Sequence, residues 1–304
     1  MRPIASSCGI PAVLFQTTGA AVTSFHFHKL LHPVSDLPSR GIFLRDHETS
    51  FRRVKAPSDD THKSDQQFFD CSEQSTEILL IKSCREIEDK YIDFHFSLLS
   101  NQKRIIPLDA LVKKPEEEED DDNNHSQIIQ WLNVKQKAST VFVSFGTECY
   151  LTKEEFQEIA LGLEMSNVNF IWVVRTPNGE KTSELLPKGY LDRVKERGLI
   201  FEGWAPQAKI LKHENIGGFV SHCGWGSLLE SMSLGVPIIA VPMQYDQPSN
   251  ARLVVEIGDG FEVVKGNDRK LNGAEVARII KEVVVEDAGE GMRRTAKELA
   301  GPGK

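Results

Sequence analysis

A chain of 304 residues, 40% hydrophobic and 26% charged, can bury a large core, and by length it suggests about two domains. The composition is that of an ordinary globular protein. The formal charge is −8, but seven acidic residues sit together from Glu116 to Asp122. Without them the balance is near zero, so no global field points to nucleic acid or a membrane surface as partner. The cysteines at 8, 71, 84, 149 and 223 show neither metal-type nor redox-type spacing, which fits free thiols in a reducing cytosol. No stretch is long and apolar enough to span a bilayer. The opening MRPIASSCGIPAVLF reads as the interior of a domain rather than a signal peptide. A cytoplasmic monomer is expected.

Pro11–Gln16 reads as a short buried strand, 17–20 as the turn leaving it, and 21–32 as a helix with Phe25 and Phe27 on different faces. Residues 33–75 hold few periodic signals. Ile78–Ile81 is a buried strand, and 83–99 a helix with Ile87, Tyr91 and Phe94 near one face. Residues 113–125 (KKPEEEEDDDNNH) form an acidic linker, because adjacent like charges repel and bury no apolar area. It separates a first domain, 1–112, from a second, 126–304. Beyond it strands and helices alternate. Strands fall at 140–145, 169–174, 199–201, 216–221 and 237–241. Thr152 and Glu155 open a helix as a capping box, and Asn272 and Glu275 open another. Further helices lie near Gln207, Leu228 and Arg252. Such alternation implies a parallel sheet covered on both faces.

Ligands of such sheets sit at the carboxyl ends of strands, so residues just after strands are the first candidates. His222 follows a strand. Gly224 and Gly226 permit a tight turn and close backbone approach. Ser227 begins a helix whose free N–H groups and dipole favour a diphosphate. Glu230, three residues on, shares its face and suits the two hydroxyls of a ribose. Trp204 offers a flat platform for a base, Ala205 backbone groups for the base edge, and Gln207 a ribose contact. Asp246 and Gln247 follow another strand and suit sugar hydroxyls, as does Trp225 beside them. Thr147, in the turn after the strand at 140–145, is a further phosphate contact. Taken one at a time these residues have plainer readings: a helix cap with a buried histidine, a solvated glutamate, a core tryptophan.

The continuous run WAPQAKILKHENIGGFVSHCGWGSLLESMSLGVPIIAVPMQYDQ, from Trp204 to Gln247, resembles the donor-binding box of plant UDP-dependent glycosyltransferases (family 1, GT-B fold). Similar sequence flanks it from about Ile10 onward. The resemblance implies an α/β GT-B architecture with two Rossmann-like domains, the N-terminal one incomplete. It implies a UDP-sugar co-substrate with no metal or other cofactor, and inverting transfer, with glucose favoured by Gln247, to a hydroxyl of a small-molecule acceptor. It assigns uracil to Trp204, ribose to Glu230, phosphates to His222 and Ser227, and the sugar to Trp225, Asp246 and Gln247. Most members carry Asn where this chain has Gly226; glycine there is similar to the branch that glycosylates existing glycosides.

The family's catalytic base is a His near its start, oriented by an Asp further along. The opening IASSCGIPAVLFQTTGAA resembles the segment after that Asp, so both are expected to be absent and the chain as written inactive. None of His26, His28, His32, His47, His62, His95 or His125 stands in a recognisable version of that motif, so no catalytic residue is assigned. The C-terminus is likewise expected to be short. A non-catalytic nucleotide-sugar-binding fragment or pseudoenzyme is the main alternative, and another GT-B protein such as an epimerase a weaker one.

Overall fold

The computed structural model describes residues 8–32, 36–48, 58–99, 103–112, 123–176, 180–266 and 270–301. The chain forms two compact units: Met1–Leu111 with Gln244–Leu253, and Val112–Met243 with Val254–Lys304. The expected second domain, 126–304, is therefore interrupted by a segment that counts with the first. Of the expected acidic linker, 113–122 lie outside the described residues. Its last three residues do not remain linker: a helix runs from Asn123 to Asn133, anchored by the fully buried Ile128 and Leu132.

In the first unit, β1 (Leu14–Gln16), β2 (Ile78–Ile81) and β3 (Arg104–Pro107) make a parallel sheet in that order. β1 is shorter than expected: ahead of it a single backbone bond, Thr76 N–H to the Ala12 carbonyl at 2.8 Å, is supplemented by side-chain acceptors in place of further ladder bonds. Leu14 N–H donates to Ser75 Oγ at 2.9 Å and Ala12 N–H to Thr76 Oγ1 at 3.3 Å. Helices α1 (Ala20–Leu31), α2 (Ser58–Gln74) and α3 (Arg85–Leu98) accompany the sheet. The polar sequence of α2 conceals it: its aromatic anchors are Phe68 and Phe69, whose rings lie 5.6 and 5.1 Å from that of Phe27. β3 was equally unreadable, since it opens on an arginine and closes on a proline.

The buried face of α3 carries Glu88, Tyr91, Ile92, His95 and Leu98; of the expected Ile87, Tyr91 and Phe94 only Tyr91 is fully inside, the other two being half-buried. Glu88 turns the helix inward. Its carboxylate accepts from the backbone N–H groups of Ala20 (2.8 Å) and Ala21 (2.7 Å) and from the Ser83 hydroxyl (2.6 Å). It thus serves, from 68 residues away, as the anionic cap of α1. Burial raises its pKa while the three donors oppose that rise.

The second unit holds a six-stranded, all-parallel sheet, β4 (Thr140–Ser144), β5 (Asn169–Val174), β6 (Gly198–Glu202), β7 (Ile216–Ser221), β8 (Ile238–Ala240) and β9 (Gly260–Glu262), in the order β6-β5-β4-β7-β8-β9. Counted within the unit this is 3-2-1-4-5-6, the doubly wound dinucleotide-binding order. Alternation along the strands feeds two cores. Val141, Val143, Phe170 and Trp172 pack under one set of helices, and Phe142, Ile171 and Phe219 under the other. The helices, continuing from α4 (Asn123–Asn133), are α5 (Lys153–Ser166), α6 (Thr182–Leu185), α7 (Tyr190–Val194), α8 (Gln207–Lys212), α9 (Trp225–Ser233), α10 (Gln247–Glu256), which as far as Leu253 counts with the first unit, α11 (Gly273–Val284) and α12 (Glu290–Leu299). The Thr152–Glu155 capping box forms in full. That of Asn272 forms by half: Asn272 Oδ1 accepts from Ala274 and Glu275, but the Glu275 carboxylate turns to Arg278.

Replacing Glu88 with Ala leaves three buried donors without an acceptor. The variant is expected to lose about 3 kcal/mol, read as an earlier urea transition in the first unit. A Glu88→Ala protein as stable as the parent would show that the cap is dispensable.

Candidate functional site

The sheet order reverses between β4 and β7, and an open cavity of about 500 Å³ lies at the carboxyl ends of the strands there. Strand periodicity supplies part of its wall: Phe142 and Ser144 share one face of β4, and Val173 and Arg175 continue one face of β5. The turns after the strands supply the rest. Thr147, Trp204, Ala205, Gln207, His222, Gly224, Trp225, Gly226, Ser227 and Glu230 all line the cavity. Thus ten of the twelve residues singled out from the sequence share one crevice.

His222 is fixed by two glycines. A Cβ on Gly146 would lie 2.7 Å from its Cε1, and one on Gly224 2.6 Å from its Nε2. Gly146 also has φ +71°, a conformation that disfavours any side chain. Burial pulls the imidazole pKa down from 6.5 to about 4. The Ser144 backbone opposes this only in part, since Nδ1 has no well-formed hydrogen bond. At neutral pH the ring is therefore an uncharged donor–acceptor. Cys223 turns the chain through the left-handed region at φ +69° into α9, which Gly224 precedes as N-cap. The helix thus begins at Trp225, two residues before the expected Ser227. Its first turn nonetheless presents the positive end of the helix to the cavity.

Gln207, at the start of α8, joins the two helices. Its Nε2 donates to Glu230 Oε2 at 2.5 Å and reaches Ser227 Oγ at 3.4 Å. Glu230 is so held one turn into α9 with its other oxygen outside that bond. Trp204 projects from the turn after β6 with 67% of its surface exposed, whereas Trp225 is only 4% exposed and belongs mainly to the wall. Arg175, which sequence reasoning passed over, stands at the end of β5 and donates from Nη1 to the Thr147 carbonyl at 3.1 Å. The strand-end rule that selected Thr147 and His222 would have found it.

Asp246 and Gln247 do not line this cavity; they fall in the segment grouped with the first unit. There Gln247 Oε1 accepts from Gln244 N–H at 2.8 Å, and Asp246 Oδ2 accepts from Asn250 Nδ2 at 2.9 Å. Both side chains close the first turn of α10. Among the described residues no three His, Cys, Asp or Glu gather as a metal ion would require, and no helix is long and apolar enough to cross a membrane.

His222 is expected to titrate near pH 4 instead of near 6.5 in the ligand-free protein, measured by NMR of its ring protons. Because its folded pKa lies below the unfolded value, the unfolded chain binds the extra proton first. On this account stability is full above about 6.5 and falls as pH drops toward 4. A midpoint at 6.5 would contradict the burial described.

Residues 63–291 match the family model for UDP-glucoronosyl and UDP-glucosyl transferase. The chain is 48% identical over 302 residues to a mogroside IIIx synthase of Siraitia grosvenorii, covering 98% of this chain and 63% of that protein. It is 46% identical over 296 residues to the beta-D-glucosyl crocetin beta-1,6-glucosyltransferase of Gardenia jasminoides, covering 96% and 66%. The chain thus spans less than two thirds of the length of these relatives. Among solved structures, Phytolacca americana UGT2 complexed with UDP-2fluoro-glucose and pterostilbene superposes with a TM-score of 0.83 at 30% identity, over 98% of this chain and 68% of that one. A family match over most of the chain, a GT-B relative of the same fold and a strand-end cavity built from the signature residues agree: the chain belongs to the UDP-glucoronosyl and UDP-glucosyl transferase family.

Proposed function

We propose that the cavity of the second unit binds a UDP-sugar, and that the protein transfers the sugar, with inversion, to a hydroxyl of a small-molecule glycoside. The observation that carries this reading is the convergence of an exposed Trp204 ring, the Gln207–Glu230 pair and the start of α9 on one crevice at the β4/β7 switch point. Trp204 stacks on uracil, with Ala205 backbone groups at the base edge. Glu230 accepts the ribose hydroxyls, and Gln207 holds its carboxylate in place. The diphosphate lies against the first turn of α9, taking bonds from Ser227, the His222 ring and the Thr147 turn. No metal is needed, because backbone amides and the helix end supply the positive potential. Glucose is the preferred sugar, a choice supported by Gln247 and by the Gardenia relative's name. That name also describes a glucosylated acceptor, in keeping with Gly226. No disulfide joins any of the cysteines at 8, 71, 84, 149 and 223, which suits a reducing, cytosolic setting.

Inversion requires the acceptor oxygen to be held in line and deprotonated. Among the described residues His222 is the cavity's only histidine, and at a pKa of about 4 it is a poor base. For residues 1–304 by themselves the reading is therefore donor binding with slow transfer, which keeps a non-catalytic sugar-nucleotide binder as the second reading.

Calorimetry on the full chain is expected to show UDP binding that survives EDTA; loss of binding on chelation would remove the metal-free site. Trp204→Ala and Glu230→Ala are each expected to weaken UDP binding by about 1–3 kcal/mol with little change in melting temperature. Wild-type affinity in both variants would make these residues structural. Turnover of UDP-glucose against paired glycosides and aglycones tests the acceptor class, and preference for aglycones would refute it.

A further inference from the structure

We propose that Arg175 supplies the cationic contact to the diphosphate of the bound sugar nucleotide. This rests on the donor-site reading above and adds a residue to it. A nucleoside diphosphate brings about two negative charges into a crevice whose ionisable side chains are Arg175, His222 and Glu230. Glu230 is of the wrong sign, and His222 is neutral because it is buried. Gly226, at the second position of α9, has no side chain to contribute. Among the described residues the only full positive charge on the cavity wall is the Arg175 guanidinium, which does not deprotonate in proteins.

Its placement is specific. Arg175 continues the cavity-facing side of β5, next to β4 in the sheet. Its Nη1 is tied to the Thr147 carbonyl. Thr147 follows Gly146, the residue against which the His222 ring is wedged. One short path thus connects the guanidinium to the turn and the imidazole that face the start of α9. Among the described residues the Thr147 carbonyl is its one protein partner, so Nε and Nη2 keep donors for an anion. A guanidinium with one edge anchored to backbone and the other open is pre-oriented for phosphate oxygens.

The test compares UDP with uridine by calorimetry on the full chain and on Arg175→Met and Arg175→Lys, with melting curves for each. Arg175→Met is expected to weaken UDP about tenfold and leave uridine unchanged. It is also expected to flatten the salt dependence of UDP binding. Arg175→Lys, which keeps the charge, should recover part of the loss. Equal losses for UDP and uridine would mean that the variant merely collapses the Thr147 turn, and would overturn the assignment, as would unchanged UDP affinity. Failure of the wild-type chain to bind UDP would sink the donor-site reading together with this one, whereas tight UDP binding by Arg175→Met would sink only this one.

Discussion

The wedging of the His222 ring between Gly146 and Gly224 sets the geometry on which the candidate site depends. Neither glycine can gain a Cβ without meeting the imidazole at under 3 Å. The turn after β4 and the turn after β7 are therefore locked to each other through one side chain. That contact stands where the strand order reverses, the point at which a doubly wound sheet opens a crevice. The start of α9, the Thr147 turn and, through Thr147, Arg175 all take their positions from it. The same burial that fixes the ring removes its charge, so the site orients a hydrogen-bonding nitrogen instead of a floating cation.

A rigid base beneath the crevice keeps these turns in register. Phe142 and Phe219, on adjacent strands, stack with ring centroids 5.3 Å apart, and Phe142 also reaches the cavity floor. On the opposite face Phe156 of α5 packs on Trp172 of β5 at 4.5 Å. Residues on both faces of the central strands are thus in close-packed cores, where a shift of one strand is resisted from two sides. Loop residues that would otherwise be mobile inherit the precision of the sheet ends.

The second unit was largely legible because its central strands are apolar runs buried on both faces and two of its helices, α5 and α11, open on side-chain caps. Asn169–Val174 and Ile216–Ser221 match the sequence reading residue for residue. Ten of the candidate residues line one cavity for a related reason: strand ends in a parallel sheet lie together at one edge, so residues chosen by that position converge there. What escaped detection escaped for physical causes. The helix α2 is held by aromatic contacts to Phe27, not by an amphipathic stripe. The inward face of α3 is chosen by a carboxylate capping another helix, an interaction with no local signature. Helix α4 begins at the end of an acidic run whose composition pointed to linker. Arg175 reads as a solvated charge until the strand register brings it beside Thr147.

The signature is continuous in sequence, yet its last residues, from Gln244, count with the first unit, and this assignment has a local cause. After Met243 the chain enters a segment packed with the first unit, fastened there by the Arg252 guanidinium. Arg252 Nη2 meets Glu48 Oε1 at 2.5 Å, with both side chains under 5% exposed, and its guanidinium carbon lies 5.0 Å from the Phe43 ring centroid. Burial would raise the Glu48 pKa, but the Arg45 backbone and Arg252 hold it below its ordinary value, so the Glu48 carboxylate remains ionised at neutral pH. A buried, hydrogen-bonded pair is costly to break by halves. The two residues expected to read the sugar, Asp246 and Gln247, thus depend on packing in the first unit, while the residues expected to hold the nucleotide depend on the second unit's own sheet. Sequence adjacency hides that difference. On the proposed reading, donor-sugar choice is the property most exposed to substitutions around Glu48 and Phe43, and nucleotide affinity the property most exposed to substitutions along β4, β5 and β7.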